Sequence, residues 1–151
     1  MKQGKSLRTG LLSAALVLLA PVSDAANASE LTTIRVIEPP RQYRSGPPVH
    51  GTVTVTYEPS MTRIKTELCP SFRLSVGYLL GCVNIQTGRG CAITLWSGLH
   101  RAPTLRNAVE QHERAHCRGW SADHAGGITR IHNVGRGFFA GAIEPQAPEA
   151  Q

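Results

Sequence analysis

Apolar and polar residues alternate most clearly from Val49 to Glu58. Val53, Val55 and Tyr57 fall on one face there, and Thr52, Thr54 and Thr56 on the other. That is the period of a half-buried strand. Leu31 to Glu38 alternates in the same way, with Ile34 and Val36 on one face, and Pro39-Pro40 ends it. Phe72 to Val76 alternates again. Leu79 to Ile85 and Cys91 to Trp96 read as the arms of a hairpin around Gln86-Thr87-Gly88-Arg89-Gly90. Met61 to Leu68 fits a short helix or a strand. The helical period dominates in one place. Leu105, Ala108, Val109, His112, Ala115 and His116 share a face of a helix running from about Thr104 to Arg118. Pro103-Thr104 is a plausible start, with the cap near Thr104, and Gly119 suits a left-handed end. Ala125 to Gly141 is glycine-rich with short apolar pieces at Ile128, Ile131, Phe138 and Phe139. It adds a strand or wraps the sheet. These elements predict an α+β domain, a small and mostly antiparallel sheet packed against one principal helix.

The first 28 residues read differently. Lys2, Lys5 and Arg8 precede an apolar run, Leu11 to Ala20, that is too short to span a bilayer. Pro21 breaks it, and Ala26-Asn27-Ala28 is a small-x-small cleavage site, with Ser23-Asp24-Ala25 as the alternative. Residues 1–28 are thus expected to be a secretory signal peptide. Residues 29–143 would form one domain, and the Pro/Ala/Gln/Glu stretch 144–151 a disordered tail. The expected location is periplasmic or secreted, with no stable membrane span after cleavage.

Charge argues against one class of partner. The chain carries +6, and residues 29–151 carry 13 Lys+Arg against 9 Asp+Glu, or +4. Their arginines are scattered and make no basic helix with interleaved aromatics. A nucleic-acid role is therefore poorly supported.

The candidate chemistry sits on the predicted helix. His112-Glu113-Arg114-Ala115-His116 is an HExxH motif. Its histidines lie roughly 40° apart around a helix axis, so both imidazoles can reach one metal ion, expected to be Zn2+. Glu113 can hold a water beside it. The third ligand is open. His124 is the first candidate and Asp123 the competitor, or a partner that orients an imidazole. His132 is a further candidate, either for the metal or as a donor to the transition state.

Four cysteines, Cys69, Cys82, Cys91 and Cys117, lie in the exported part. An even count in an oxidising compartment argues for disulfides. The hairpin arms suggest Cys82–Cys91. Cys69–Cys117 would then tie the preceding segment to the helix, unless Cys117 is a buried free thiol behind His116. None of the four stands at zinc-knuckle spacing.

From His112 to His124 the chain resembles the zincin metallopeptidases, and HExxHxxG, with Gly119 in place, is closest to the metzincins. It departs from them twice. The metzincin third ligand would fall at Ala122, and the only methionines, Met1 and Met61, precede the motif, so a downstream methionine turn is missing. The string HERAHCRGWSADH also resembles an HExxHCxGWxxDH pattern in small exported proteins of Gram-negative bacteria. That resemblance implies zinc at His112, His116 and His124 with Glu113 as general base.

The function expected from all this is hydrolysis of peptide bonds in a peptide or protein substrate, cell-wall peptide included, by a monomer. A transition-state donor would come from His132, Tyr57, Tyr78 or an arginine. Cys91–Trp96 is the expected sheet edge beside the metal, where a substrate would add as a strand. Trp96 would line a pocket there or belong to the core. The rival readings are a zinc-binding periplasmic protein without catalysis and a disulfide-stapled interaction domain of an exported assembly.

Overall fold

A computed structural model of the chain describes residues 31–70, 79–86, 90–140 and 142. The expected signal peptide, the alternation at 72–76, Tyr78 and the tail lie outside the described residues.

The chain opens with strand β1 (Leu31–Glu38), which the Pro39-Pro40 pair ends, and a single helical turn, α1 (Arg41–Arg44). Strand β2 (Val53–Glu58) begins later than the alternation suggests. The Val49 N–H donates to the Cys117 carbonyl at 3.0 Å, which draws the start of that stretch to the principal helix, while the Thr52 carbonyl accepts from Cys91 N–H at 2.8 Å just ahead of the strand. Met61–Leu68 resolves as helical: a turn, α2 (Met61–Arg63), widening into a π-helix (Ile64–Leu68), where Cys69 N–H reaches back to the Ile64 carbonyl at 2.8 Å. Strands β3 (Gly81–Gln86) and β4 (Gly90–Trp96) form the predicted hairpin. A 3₁₀ turn (Ser97–Arg101) leads into the principal helix α3 (Pro103–Cys117). Pro103 takes its first position, where a missing N–H costs nothing. The residue before it is Ala102, and no side chain caps the end. Thr104 therefore lies inside the helix and is not its cap. Strand β5 (Ile128–Gly135) and a second 3₁₀ turn (Arg136–Phe139) follow.

The architecture is α+β, as expected, but the strands divide into two sheets. β1 and β5 make an antiparallel ribbon, from Leu31 opposite Gly135 to Glu38 opposite Ile128. β2, β4 and β3 make the other sheet in that order, β4 antiparallel to β3 and parallel to β2. β4 is thus a central strand and not the expected sheet edge. Strands flank it on both edges, and Cys91, Ile93, Leu95 and Trp96 are all buried, while Ala92, on the face opposite Cys91 and Ile93, is exposed. Trp96 is core, with its indole N–H donating to the Pro59 carbonyl at 3.1 Å.

The core lies between this sheet and α3, where Ile93, Leu95, Leu99 and Leu105 lose all or nearly all contact with solvent. Leu105 and Val109 face inward one turn apart. Burying four such side chains contributes on the order of 6–12 kcal/mol before conformational entropy is counted.

The cysteines pair as Cys69–Cys82 and Cys91–Cys117, with Cα atoms 6.3 and 5.7 Å apart. Neither Cys82–Cys91 nor Cys69–Cys117 forms. The hairpin register gives the reason. Cys82 stands opposite Thr94 and Cys91 opposite Ile85. The cysteines are offset by an odd number of strand positions, which sends their side chains to opposite faces. Cys82 turns to the π-helix segment and Cys91 to the end of α3.

Candidate metal centre

His112, Glu113 and His116 occupy consecutive turns at the inner side of α3, and the helix ends directly after them. Gly119, at φ 92°, makes the reversal. Its N–H donates to the His116 carbonyl and the Trp120 N–H to the Ala115 carbonyl, each at 3.0 Å, a Schellman closure. Two short turns then carry the chain to His124, where His124 N–H meets the Ser121 carbonyl and Gly127 N–H the His124 carbonyl. His124 adopts φ 58°, the one left-handed non-glycine backbone among the described residues. Such a conformation on a bulky residue marks a position held by its surroundings. Its imidazole is swung back over α3.

His112, His116 and His124 each offer a ring nitrogen, and the three atoms lie within 4.8 Å of one another. Nε2 of His112 is 3.3 Å from Nε2 of His116 and 3.1 Å from Nε2 of His124. The other ring nitrogens decide what this means. His112 Nδ1 donates to the Ile37 carbonyl of β1 at 2.7 Å, and His116 Nδ1 to the Trp120 carbonyl at 2.9 Å. A carbonyl only accepts, so both Nδ1 atoms carry the proton and both Nε2 atoms present lone pairs. A proton on His124 Nε2 would satisfy one contact and leave the His112–His116 pair as two facing acceptors. A cation resolves that repulsion. Nitrogen ligands about 2.0–2.1 Å from a tetrahedral ion stand roughly 3.3 Å apart, close to the 3.3 and 3.1 Å that separate His112 from His116 and from His124. The three histidines therefore fit a metal ion.

The electrostatics agree. Burial pushes His112 down to about 4, with the neighbouring His116 and His124 adding to the shift against the backbone bond to Ile37. Burial and His116 likewise lower His124. These rings are held neutral, the form that ligates. Glu113 is buried and lines a cavity together with the three histidines, and burial alone pushes its carboxyl up to about 8. A positive charge among the neighbouring imidazoles opposes that rise.

Asp123 stands apart from the cluster. Its carboxylate accepts from the Ser121 hydroxyl and from Ala125 N–H at 3.2 Å, and the Ser121 bond holds it below its usual range. It shapes the turn that presents His124. His132 lies on β5 opposite Ile34, outside the histidine group, with its buried Nε2 lacking a hydrogen-bond partner. Tyr57, on β2, lies against His100 with the rings tilted by 38° and their centroids 4.3 Å apart.

Trp120 is the residue whose role the sequence did not reveal. Its ring is buried, lies nearly parallel to His116 at 5.0 Å, and meets His112 and His124 edge-on at 5.2 and 5.0 Å. Its indole N–H donates to the Ala125 carbonyl at 3.0 Å, fixing the loop that carries His124. Gly127 lets that loop approach: a Cβ there would stand 2.8 Å from the indole and 2.5 Å from Ile37. The available signal was its place directly after the helix-ending glycine.

Two cavities meet at the histidines. One, of about 250 Å³, is lined by His112, Glu113, His116 and His124 together with Ile34–Ile37 and Leu79–Gly81. The other, of about 660 Å³, opens from His116, Trp120 and His124 toward Leu68, Val83 and Ile85. The centre is thus reachable from solvent, with Glu113 on one side.

No family model, no curated protein and no solved structure matches the chain.

Proposed function

We propose that the chain is an exported zinc-dependent metallopeptidase. The observation that carries this is the convergence of three Nε2 atoms, two of them with their tautomers fixed by backbone carbonyls, on a cavity that a buried carboxyl also lines. Zinc is the metal that suits three imidazoles with a fourth position open, and when bound it supplies Lewis-acid polarisation of water and of a peptide carbonyl.

The chain's own groups do the rest. His112 and His116 are held in orientation from behind, by Ile37 and Trp120. Glu113 Oε takes the proton of an attacking water and returns it to the leaving amine. The substrate adds in extended form to a sheet edge, and the edge beside the histidines is β3, whose Val83–Ile85 segment borders the larger cavity. Export agrees with two disulfides, and no helix among the described residues is long and apolar enough to cross a membrane.

The test is zinc content and turnover measured together. The wild-type chain should hold one zinc, and His112→Ala and His124→Ala should lose it. Glu113→Gln should keep zinc and lose about 10²–10⁴-fold in turnover on a peptide library. Zinc bound with equal turnover in Glu113→Gln would leave a metal-binding protein without this mechanism.

A further inference from the structure

The larger cavity differs in chemistry from the one that holds Glu113. Its wall beyond the imidazoles and Trp120 is mainly aliphatic: Leu68 and Pro70 from one side, Val83 and Ile85 from β3. Cys69–Cys82 staples the two sides together, so the wall is braced. Among the described lining residues the one carboxylate is Glu67, and Arg63 already holds it at 2.9 Å. Among the described lining residues no side-chain charge is left over for a charged guest beyond the histidines, and such a guest would lose hydration. An apolar guest would cover exposed aliphatic surface, for Ile85 is 40% exposed and Val83 and Leu68 are half-buried.

The strand supplies the direction. Three consecutive residues, Val83, Asn84 and Ile85, line the cavity, although alternate residues of a strand point to opposite faces. The cavity therefore runs along the free edge of β3, which pairs with β4 alone among the described residues. At about 660 Å³ it is of the size that holds a small ligand, more than one side chain needs. His116 and His124 close its inner end.

We propose that this cleft selects peptides carrying a large aliphatic or aromatic side chain next to the bond held at the histidines, with Leu68 and Ile85 as specificity-determining residues; this rests on the peptidase reading. The cleft binds the apolar side chain, the β3 edge binds the peptide backbone, and acidic and basic side chains are turned away at the same position.

The experiment measures binding apart from turnover. Full-length Glu113→Gln, loaded with zinc, is titrated with blocked hexapeptides that differ at one central position: Leu, Phe, Gly, Lys or Asp. The Leu and Phe peptides should bind at least about tenfold tighter than the other three. Ile85→Asp and Leu68→Asp, made separately in that background, should erase the difference while zinc content stays unchanged. Ile85 is exposed enough for the chain to fold with either residue. Equal affinities across the series, no binding of any peptide, or a preference that survives both substitutions overturns the proposal. Turnover by the wild-type chain separates the two ideas. Cleavage without side-chain preference removes the cleft and keeps the peptidase. Selective binding with no cleavage keeps the cleft and removes the peptidase.

Discussion

The chain has two tryptophans, and the structure uses them in opposite ways. Each is 3% exposed, and each donates its indole N–H to a backbone carbonyl, Pro59 for Trp96 and Ala125 for Trp120. Trp96 is packed among apolar rings: Phe138 edge-on at 5.2 Å, Phe139 stacked at 5.7 Å, with the Arg101 guanidinium 5.5 Å from its ring. Trp120 is packed among three imidazoles. Around Trp96 every neighbour is satisfied by packing. Around Trp120 three ring nitrogens point at each other, and the His112 and His116 pair has no proton to share. The same burial serves stability in one place and holds an unsatisfied polar cluster in shape in the other. A buried cluster of that kind persists where function needs it.

The largest expected effect breaks the comparison on its apolar side. Trp96→Ala should cost about 3–5 kcal/mol in stability, because it opens a cavity between β4 and the Phe138–Phe139 turn. Zinc affinity of the folded fraction should stay within about threefold of wild type. Denaturant unfolding and a chelator competition check the two halves. A large loss of zinc affinity would mean that the two clusters are coupled.

Next comes the metal. Zinc that binds the folded state alone stabilises it by about 2.7 kcal/mol at a hundredfold excess over its dissociation constant. The thermal midpoint should rise with zinc in wild type and in Trp96→Phe, and stay fixed in His112→Ala. An equal rise in His112→Ala would place the binding elsewhere.

Trp120→Phe sharpens the other side. It keeps a ring over His116 but removes the N–H that holds the Ala125 carbonyl. Loosening the His124 loop should weaken zinc about 10–100-fold, the range seen for groups that orient ligands. The Co2+-loaded protein adds a readout that general destabilisation would not move, since its visible spectrum follows the angles of the three imidazoles. An unchanged spectrum and affinity would reduce Trp120 to filler.

Which parts of this were legible in the sequence follows from how local each part is. An i, i+4 pair of histidines on a helix is fixed by helix geometry, and Gly119 announces the turn that returns His124. Those elements needed no tertiary information. Strand pairing did. The parallel register of β2 with β4 and the separation of β1–β5 into its own ribbon depend on contacts distant in sequence. The disulfides followed the strands: an odd offset of Cys82 against Cys91 is invisible until the register is known. The groups that orient His112 and His116 are backbone carbonyls, which any residue could supply, so no residue type at Ile37 or Trp120 could signal them.

The smallest expected effect concerns pH, in the metal-free protein. Glu113 titrates near 4.5 unfolded and about 8 folded. As pH rises between those values the unfolded chain releases a proton that the folded one keeps, so stability falls. His112 titrates near 6.5 unfolded and about 4 folded. As pH drops between those values the unfolded chain takes a proton that the folded one refuses, so stability falls on that side too. The slopes oppose each other from about 4.5 to 6.5 and largely cancel. Above 6.5 Glu113 acts alone, and stability should decline by about 1–2 kcal/mol from pH 6.5 to 8. Glu113→Gln should flatten that limb and unmask the His112 slope, so that stability falls from pH 6.5 toward 4, while His112→Gln should let the Glu113 decline run from about pH 4.5 to 8. Zinc should abolish the alkaline limb in wild type, since a cation beside the carboxyl favours its ionised form. Midpoints measured across this range with a chelator, and again with zinc, test all three. An alkaline limb that survives in Glu113→Gln would assign it to another group and take the buried carboxyl out of the argument that separates the Trp120 cluster from the Trp96 cluster.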